Sequence, residues 1–405
     1  DDRATLNNVI FEENEASADG GAVWVRGIMQ ITNSQFTMNS AVEEGGAIQI
    51  LGNNVVAVED GTFSGNSAAD GGAIWATRYS GAPENHLTNV TFTDNEATGN
   101  GGGMLITNGS ATLTDVRFEL NEANNGGGLY NTIDDLELDQ VIFEGNSAIT
   151  AGGGLYNSGS PALVYVAFNS NQAAAGGGMT NPNGSPTLDS VTFYDNNGLG
   201  GGGLAVGGGA PALTNVTFAA NFTFAGGAVF VDGGTPTFNN TTFSGNSLDA
   251  LFSNNGSTTI SNSILWDNGV EVDVTGGAVT IVDTIVQGGC PAGASCTNLV
   301  DSSPALQPLA DNGGPTLTHA LLPGSPAIDR ATNCTYDDDM DGLTPEVPVR
   351  KDQRGLVRFG GAACDVGAFE DEAVPVPAVG WALRGFAALG VLALARCSAL
   401  RATTA

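Results

Sequence analysis

The chain has 405 residues, 43 of them acidic and 12 basic, for a formal net charge of −31, and its single lysine is Lys351. That balance excludes a nucleic-acid-binding surface and charge-driven attachment to an anionic membrane. Only 14% of residues are charged while 59 are glycine, about twice the roughly 7% of an average protein, so the backbone itself must require glycine again and again.

The opening stretch DDRATLNNVIFEENEA has neither the basic start nor the apolar run of a secretory signal. It starts inside a repeat, and an upstream segment is expected to precede it. The pattern F-x-x-N recurs with Phe at 11, 36, 63, 92, 118, 143, 168, 193, 218 and 243, and degenerates to Leu265 with Asn268. Five consecutive spacings of 25 residues mark a solenoid. Within one period, LTNVTFAANFTFAGGAVFVDGGTP (213–236), the first part alternates apolar and polar residues and is rich in β-branched and aromatic types, which predicts a strand. The GG pair permits a tight bend, and a second apolar segment predicts another strand before Gly, Ser or Pro closes the unit. A third short strand has room. Leu113, Val116, Phe118 and Asn121 also approach a leucine-rich repeat, but a half-period of Gly, Asn, Ser and Pro has little helix propensity. The prediction is an all-β parallel β-helix of about 11 coils over residues 1–290. Stacked at about 4.8 Å per coil, it forms a rod on the order of 50 Å long.

The fixed letters have expected roles. Phe forms an interior stack. Asn14, Asn39, Asn66, Asn95, Asn121, Asn146, Asn171, Asn196, Asn221 and Asn246 form a structural ladder of side-chain amides at a turn with left-handed dihedrals. The Ala two places later (Ala16, Ala41, Ala68, Ala97, Ala123, Ala148, Ala173) keeps that corner thin. GGGLYN, at 126–131 and again at 152–157, is a corner and the start of a strand, with Leu and Tyr on opposite faces. It is not a phosphate cradle, because no helix follows it and the loop recurs. Tyr130 with Tyr156, and Trp24 with Trp75, share repeat positions, and interior stacking is expected for them; an outward row would instead favour sugar binding. Among the acids, Glu96 with Glu122 and Glu119 with Glu144 are expected about 5 Å apart in adjacent coils, as a solvated edge or a shared divalent-cation site. Asp134-Asp135 and Glu43-Glu44 read as solvated neighbours.

Residues 291–372 are punctuated by Pro and Gly and predict a small irregular β cap that closes the open end of the solenoid. The five cysteines sit late, and Cys290–Cys296 and Cys334–Cys364 are the expected disulfides, leaving Cys397. In DDDMDGLTPE (337–346), Asp337, Asp339 and Asp341 followed by Gly342 match the start of a calcium loop. The usual twelfth-position Glu is missing, and Glu346 substitutes only in a shorter loop, so Ca²⁺ is the one cofactor candidate and an acidic surface loop the alternative. Residues 373–405 hold a 17-residue apolar stretch, Val379 to Ala395, preceded by VPVP and followed by Arg396 and Arg401. One apolar helix that anchors or sorts the chain is expected there, with Arg384 snorkelling near its start.

Three resemblances attach to these residues. GGAV at 20–23 and 226–229, and GGAI at 45–48 and 71–74, combined with F-x-x-N, resemble the repeats of chlamydial polymorphic outer membrane proteins and, more broadly, right-handed β-helices of the pectate-lyase-like superfamily. NGGPT, LPGSPAID, DQRG and CDVGAFE resemble the choice-of-anchor Q region that follows β-helices in bacterial surface proteins. The tail is similar to exosortase-type sorting signals but lacks the Glu of Pro-Glu-Pro. These resemblances imply a right-handed β-helix at the cell surface of, or secreted by, a Gram-negative bacterium, associated with the outer membrane. The superfamily includes polysaccharide lyases and hydrolases. The repeat region, however, has no Lys, one His (His86), and Arg3, Arg26, Arg78 and Arg117 at unrelated places in their coils, and no matching catalytic motif is visible. The expected function is therefore adhesin-like or structural, without catalysis, toward a host or matrix glycan or protein. The membrane is met only through the tail, and self-association runs head to tail through the first edge. A polysaccharide-binding or polysaccharide-degrading β-helix is the alternative.

Overall fold

The structure is a computed structural model that describes residues 3–78, 84–331, 335–336, 347–348, 351–358 and 363–371. The coil around Phe143 shows how the repeat folds. Asp135–Asp139 forms a first arm and Ile142–Glu144 a second. Ser147–Ala151 and then Leu155–Asn157 complete the turn, and Ala162–Val164 begins the next coil one level up. Leu136, Leu138 and Phe143 point inward and are buried, while Glu137 between the leucines is exposed, as strand alternation demands. Three residues with positive φ bend the coil: Gln140 (56°) between the arms, Gly145 (64°) before the ladder Asn, and Gly152 (66°) before the last strand.

Repetition of this coil gives a parallel β-solenoid of about eleven turns. The two arms stack into a 22-stranded sheet, the short strands into a 9-stranded sheet that starts at Glu15–Ala16, and the last strands into an 11-stranded sheet from Val23–Val25 to Val270–Val274. Strand neighbours in these sheets are parallel and hold like residues in register, as in Phe118↔Phe143 and Leu113↔Leu138. No helix occurs among the described residues, which rules out the leucine-rich-repeat alternative there; the expected tail helix lies outside them.

Side-chain stacking fills the interior. From Phe11 to Phe243 the rings follow one another at 4.7 to 5.0 Å, nearly parallel. Each buried Phe contributes about 1.5–3 kcal/mol by leaving water, and ring–ring contact adds about 0.5–1.5 kcal/mol. Beside the stack runs the amide ladder. Asn121 is fully buried; its Nδ2 donates to the Phe92 carbonyl at 3.0 Å and to Asn146 Oδ1 at 2.9 Å, and its Oδ1 accepts the Asn95 backbone N–H at 3.1 Å and Asn95 Nδ2 at 2.8 Å. The same bonding runs from Asn14 to Asn268. The expectation of left-handed dihedrals at these asparagines is corrected: the positive φ belongs to the residue just before (Glu13, Met38, Gly65, Asp94, Leu120 and onward). That residue bulges outward so that the Asn can point into the corner and satisfy buried backbone groups.

GGGLYN gains a physical reading. Gly126 has a φ of 62°, and a Cβ on Gly127 would lie 2.4 Å from the Ser147 carbonyl oxygen of the next coil. The first glycine meets a backbone requirement and the second a close approach between coils. The closing Asn is a second interior rung: Asn131 Nδ2 donates to Asn157 Oδ1 at 2.7 Å, and Asn157 Nδ2 to Asn181 Oδ1 at 2.8 Å.

The C-terminal region corrects the expectation of an end cap. Ala294–Thr297 adds one more rung to the large sheet, beyond the expected boundary at 290. The following chain then turns back along the outer side of that sheet as a lateral strap. Thr192 Oγ1 donates to the Leu317 carbonyl, Thr217 Oγ1 to Gln353 Oε1, and the Ala368 N–H to Thr242 Oγ1. The strap buries its own small apolar cluster, including Leu321, Val366 and Phe369, against Ile264 and Ile285 of the last coils. That side of the rod offers apolar residues and the hydroxyls of Thr192, Thr217 and Thr242, and the strap pairs with both.

Candidate functional site

The strand that closes each coil buries one row of side chains and turns the next outward. Leu129 and Leu155 are buried, whereas Tyr130 and Tyr156 are half-buried on the outer face with their rings stacked at 4.6 Å. Register continues this outer row through Trp24, Gln49, Trp75, Leu105, Tyr130, Tyr156, Thr180, Ala205, Phe230 and Phe252. The expectation of interior stacking for the Tyr and Trp residues is thereby overturned. The interior positions are taken by aliphatic side chains; the two Tyr rings pair outside instead, while Trp24 and Trp75 stand two coils apart with Gln49 between them.

A second row, five residues earlier in each coil, faces the first across a concave corner. Gln49 Nε2 donates to Glu44 Oε2 at 3.1 Å, and Thr180 Oγ1 to the Ala175 carbonyl at 2.7 Å. This facing row is acidic at its amino-terminal end, with Glu44 in register with Asp70. It then turns to amide: Asp70 Oδ1 accepts the Asn100 N–H at 2.7 Å and its Nδ2 at 3.1 Å, and Asn125 Nδ2 donates to Asn100 Oδ1. Beyond that it is Ala151, Ala175, Gly200 and Ala225, with Ser247 at the last coil. Burial pushes the Glu44 carboxyl up; the Gln49 hydrogen bond opposes this, and Asp19, Asp70 and Glu43 reinforce it. Tyr130 is raised by burial, by Tyr156 and by Asp70, which places the acids beside the aromatic row. The Tyr pair and the Phe230–Phe252 pair, at 5.5 Å, cover each other's faces and present edges, while Trp24 is 50% exposed with the Arg26 guanidinium 4.1 Å from its ring centre. The corner is thus an apolar strip flanked by acceptors at one end.

The remaining candidates separate clearly. Glu96 and Glu122 are in register. Glu119 and Glu144 are also in register, but Arg117 bridges them, with Nε 3.0 Å from Glu119 and Nη2 on Glu144. A cation already occupies that position, and Arg117 has a defined place in its coil. Asp134 and Asp135 line a cavity of about 480 Å³ with Glu84 and Glu137. Asp337, Asp339, Asp341 and Glu346 lie outside the described residues, and among the described residues no group of three or more His, Cys, Asp or Glu is placed to hold a metal. Cys290 and Cys296 form a disulfide. Cys364 is disulfide-bonded as well, while Cys334 and Cys397 lie outside the described residues.

Residues in the strap motifs hold a buried ionic network that the sequence reading did not assign. Arg358 is fully buried and uses every guanidinium N–H. Nε donates to the Lys351 carbonyl, Nη1 to the Asp365 carbonyl and Glu370 Oε2, and Nη2 to Asn215 Oδ1 and the Gly367 carbonyl. Asp352, also fully buried, takes Arg354 at 2.6 Å. Burial pushes Glu370 up to about 7 despite Arg358 beside it. Arg358, between DQRG (352–355) and CDVGAFE (364–370), thus joins both motifs into a lock between strap and rod. A lone Arg among Pro and Gly gives no periodic signal, so only the clustering of Asp, Arg and Glu in two short motifs hinted at it.

Comparison with known proteins agrees with this geometry. Residues 60–77 and 140–158 match the Chlamydia polymorphic membrane protein (Chlamydia_PMP) repeat. Each segment is one coil from the Phe arm through the ladder Asn to the strand that closes the coil. The chain therefore carries polymorphic membrane protein repeats on a parallel β-solenoid. No curated protein and no solved structure matches the chain.

Proposed function

We propose that this chain is the shaft of a cell-surface, adhesin-like protein of the bacterial outer membrane, and that the concave corner is its recognition face. The outward row from Trp24 to Phe252 carries this reading, because it sets partly exposed aromatic side chains, separated by the buried Gln49, Leu105, Thr180 and Ala205, at a fixed step along most of the rod. The polymorphic membrane protein repeats support a surface location, and the apolar segment 379–395 is the proposed attachment. The paired rings show edges rather than faces, which suits a flat peptide or protein surface of the host or matrix better than a sugar ring stacked on each aromatic. The −31 charge and the Glu44–Asp70 end favour a partner bearing basic groups.

The test is an array of extracellular-matrix proteins and glycans probed with the full chain and with Trp75→Ala and Tyr130→Ala, alongside an assay for released reducing or unsaturated sugars. Saturable binding that both variants weaken at least tenfold, without sugar release, is expected. Turnover of a polysaccharide would replace the proposal by the enzyme reading.

A further inference from the structure

A second recess lies on the other side of the rod, where the strap passes over the Phe arms. It measures about 640 Å³, within the roughly 300–1,000 Å³ of small-ligand sites. Its base is the outward row that follows each Phe. Along the rod that row reads Glu12, Thr37, Ser64, Thr93, Glu119, Glu144 and Asn169, and only then Tyr194, Ala219, Ser244 and Trp266. Its two aromatics are the two that fall under the strap, three coils or about 14 Å apart. The two positions between them are the small, buried Ala219 and Ser244. The result is a slot with an aromatic wall at each end and a shallow floor.

The strap supplies the other side through residues 303–309 and His319. His319 Nδ1 lies 2.7 Å from the Gln307 carbonyl oxygen. A carbonyl only accepts, so Nδ1 carries the hydrogen and Nε2 is left as an acceptor lone pair. Nε2 is buried and has no hydrogen-bond partner, so it lies behind the lining and the ring meets the recess through its carbon edge. Burial holds the His319 ring below its ordinary value, in the neutral form that keeps this lone pair. Asp267 and Ser244 add further oxygen atoms to the lining, and neither Lys nor Arg is among its described residues.

We infer that this slot binds a neutral saccharide of two to four residues, with its apolar ring faces against Tyr194 and Trp266 and one hydroxyl donating to the exposed Asp267 carboxylate. Aromatic walls suit the C–H faces of a pyranose, and carboxylate and hydroxyl acceptors suit its hydroxyls. The lack of a lining cation, on a chain of −31, disfavours phosphate, sulfate or uronate. The site is separate from the concave corner and does not depend on that reading.

The test is titration calorimetry of the full chain with glucose, mannose and galactose oligosaccharides of two to four residues, with trigalacturonate as the anionic comparison. At least one neutral probe is expected to bind. Trp266→Ala and Tyr194→Ala should each weaken it at least tenfold, and Ile149→Ala, exposed on the short-strand sheet away from both sites, should leave it unchanged. Because Trp266 also packs against the strap's apolar cluster, Ala219→Leu serves as the second variant, filling the floor while both walls remain, and it should abolish binding while circular dichroism still shows the native fold, at a melting temperature lowered by overpacking. Absence of binding by every neutral probe, preference for trigalacturonate, or binding that survives Ala219→Leu would each overturn the inference.

Discussion

Asn121 in the rod and Arg358 in the strap are both completely buried polar side chains with every partner satisfied, yet they are held in different ways. The partners of Asn121 are the same atoms one coil away on either side, so its environment repeats along the shaft. The partners of Arg358 come from several unrelated stretches, including Asn215 at a sequence separation of 143, and occur once. A rod built from nearest-neighbour steps tolerates damage locally, whereas a strap held by one ionic centre depends on it. The difference also explains why the motif letters are so dense in the strap and so sparse in each coil.

Four changes sharpen that contrast, taken from the largest expected effect to the smallest. Arg358→Met should leave Glu370, Asp365 and Asn215 unmatched and cost about 3–5 kcal/mol of strap docking. In calorimetry a separate low-temperature transition should appear while the main transition stays in place. Phe143→Ala, in the middle of the stack, should cost about 3–5 kcal/mol by cavity formation, read as a loss of protection confined to neighbouring coils, whereas Phe11→Ala at the partly exposed first rung should cost less. Asn121→Ala takes one of two donors from the Phe92 carbonyl and leaves the Asn95 backbone N–H and one of its amide hydrogens unpaired, at about 1–3 kcal/mol in chemical denaturation, and Asn14→Ala should fall below that because its surroundings admit water.

The smallest change is electrostatic. Burial, reinforced by Asp273, raises Asp249 to about 6, and burial raises Glu370 to about 7. Both lie above their unfolded values, so the folded chain retains protons that the unfolded chain releases. The stability they contribute is full below the unfolded pKa and declines as pH rises through about 6 and about 7. Asp249→Asn should therefore raise the melting temperature by a few degrees at pH 8 and leave it unchanged near pH 3.5. Equal shifts at both pH values would contradict the assignment.

The repeat was legible because Phe143 and Asn146 recur at a fixed distance, and a fixed distance in a solenoid is also a fixed place in space. The facing of Tyr130 could have been read from the same comparison. Its neighbour Leu129 is matched by Ile48, Ile74, Leu155 and Leu204, always apolar, while its own row varies from Trp to Gln to Thr, the mark of an outer face. The left-handed residue before each ladder Asn was missed because Met38, Leu120 and Ala220 are not residues that signal it. The strap's course left no local trace, since Thr192 meets Leu317 and Thr217 meets Gln353 across more than a hundred residues. For the same reason the Tyr194–Trp266 slot could not be seen until the strap was placed over it.

Hydrogen exchange of the full chain, wild type against Arg358→Met, tests the central claim that shaft and strap are held by independent means. Faster exchange is predicted in 316–331 and 352–358, with 113–144 unchanged. Equal loss of protection in both regions would show one cooperative unit and contradict the account.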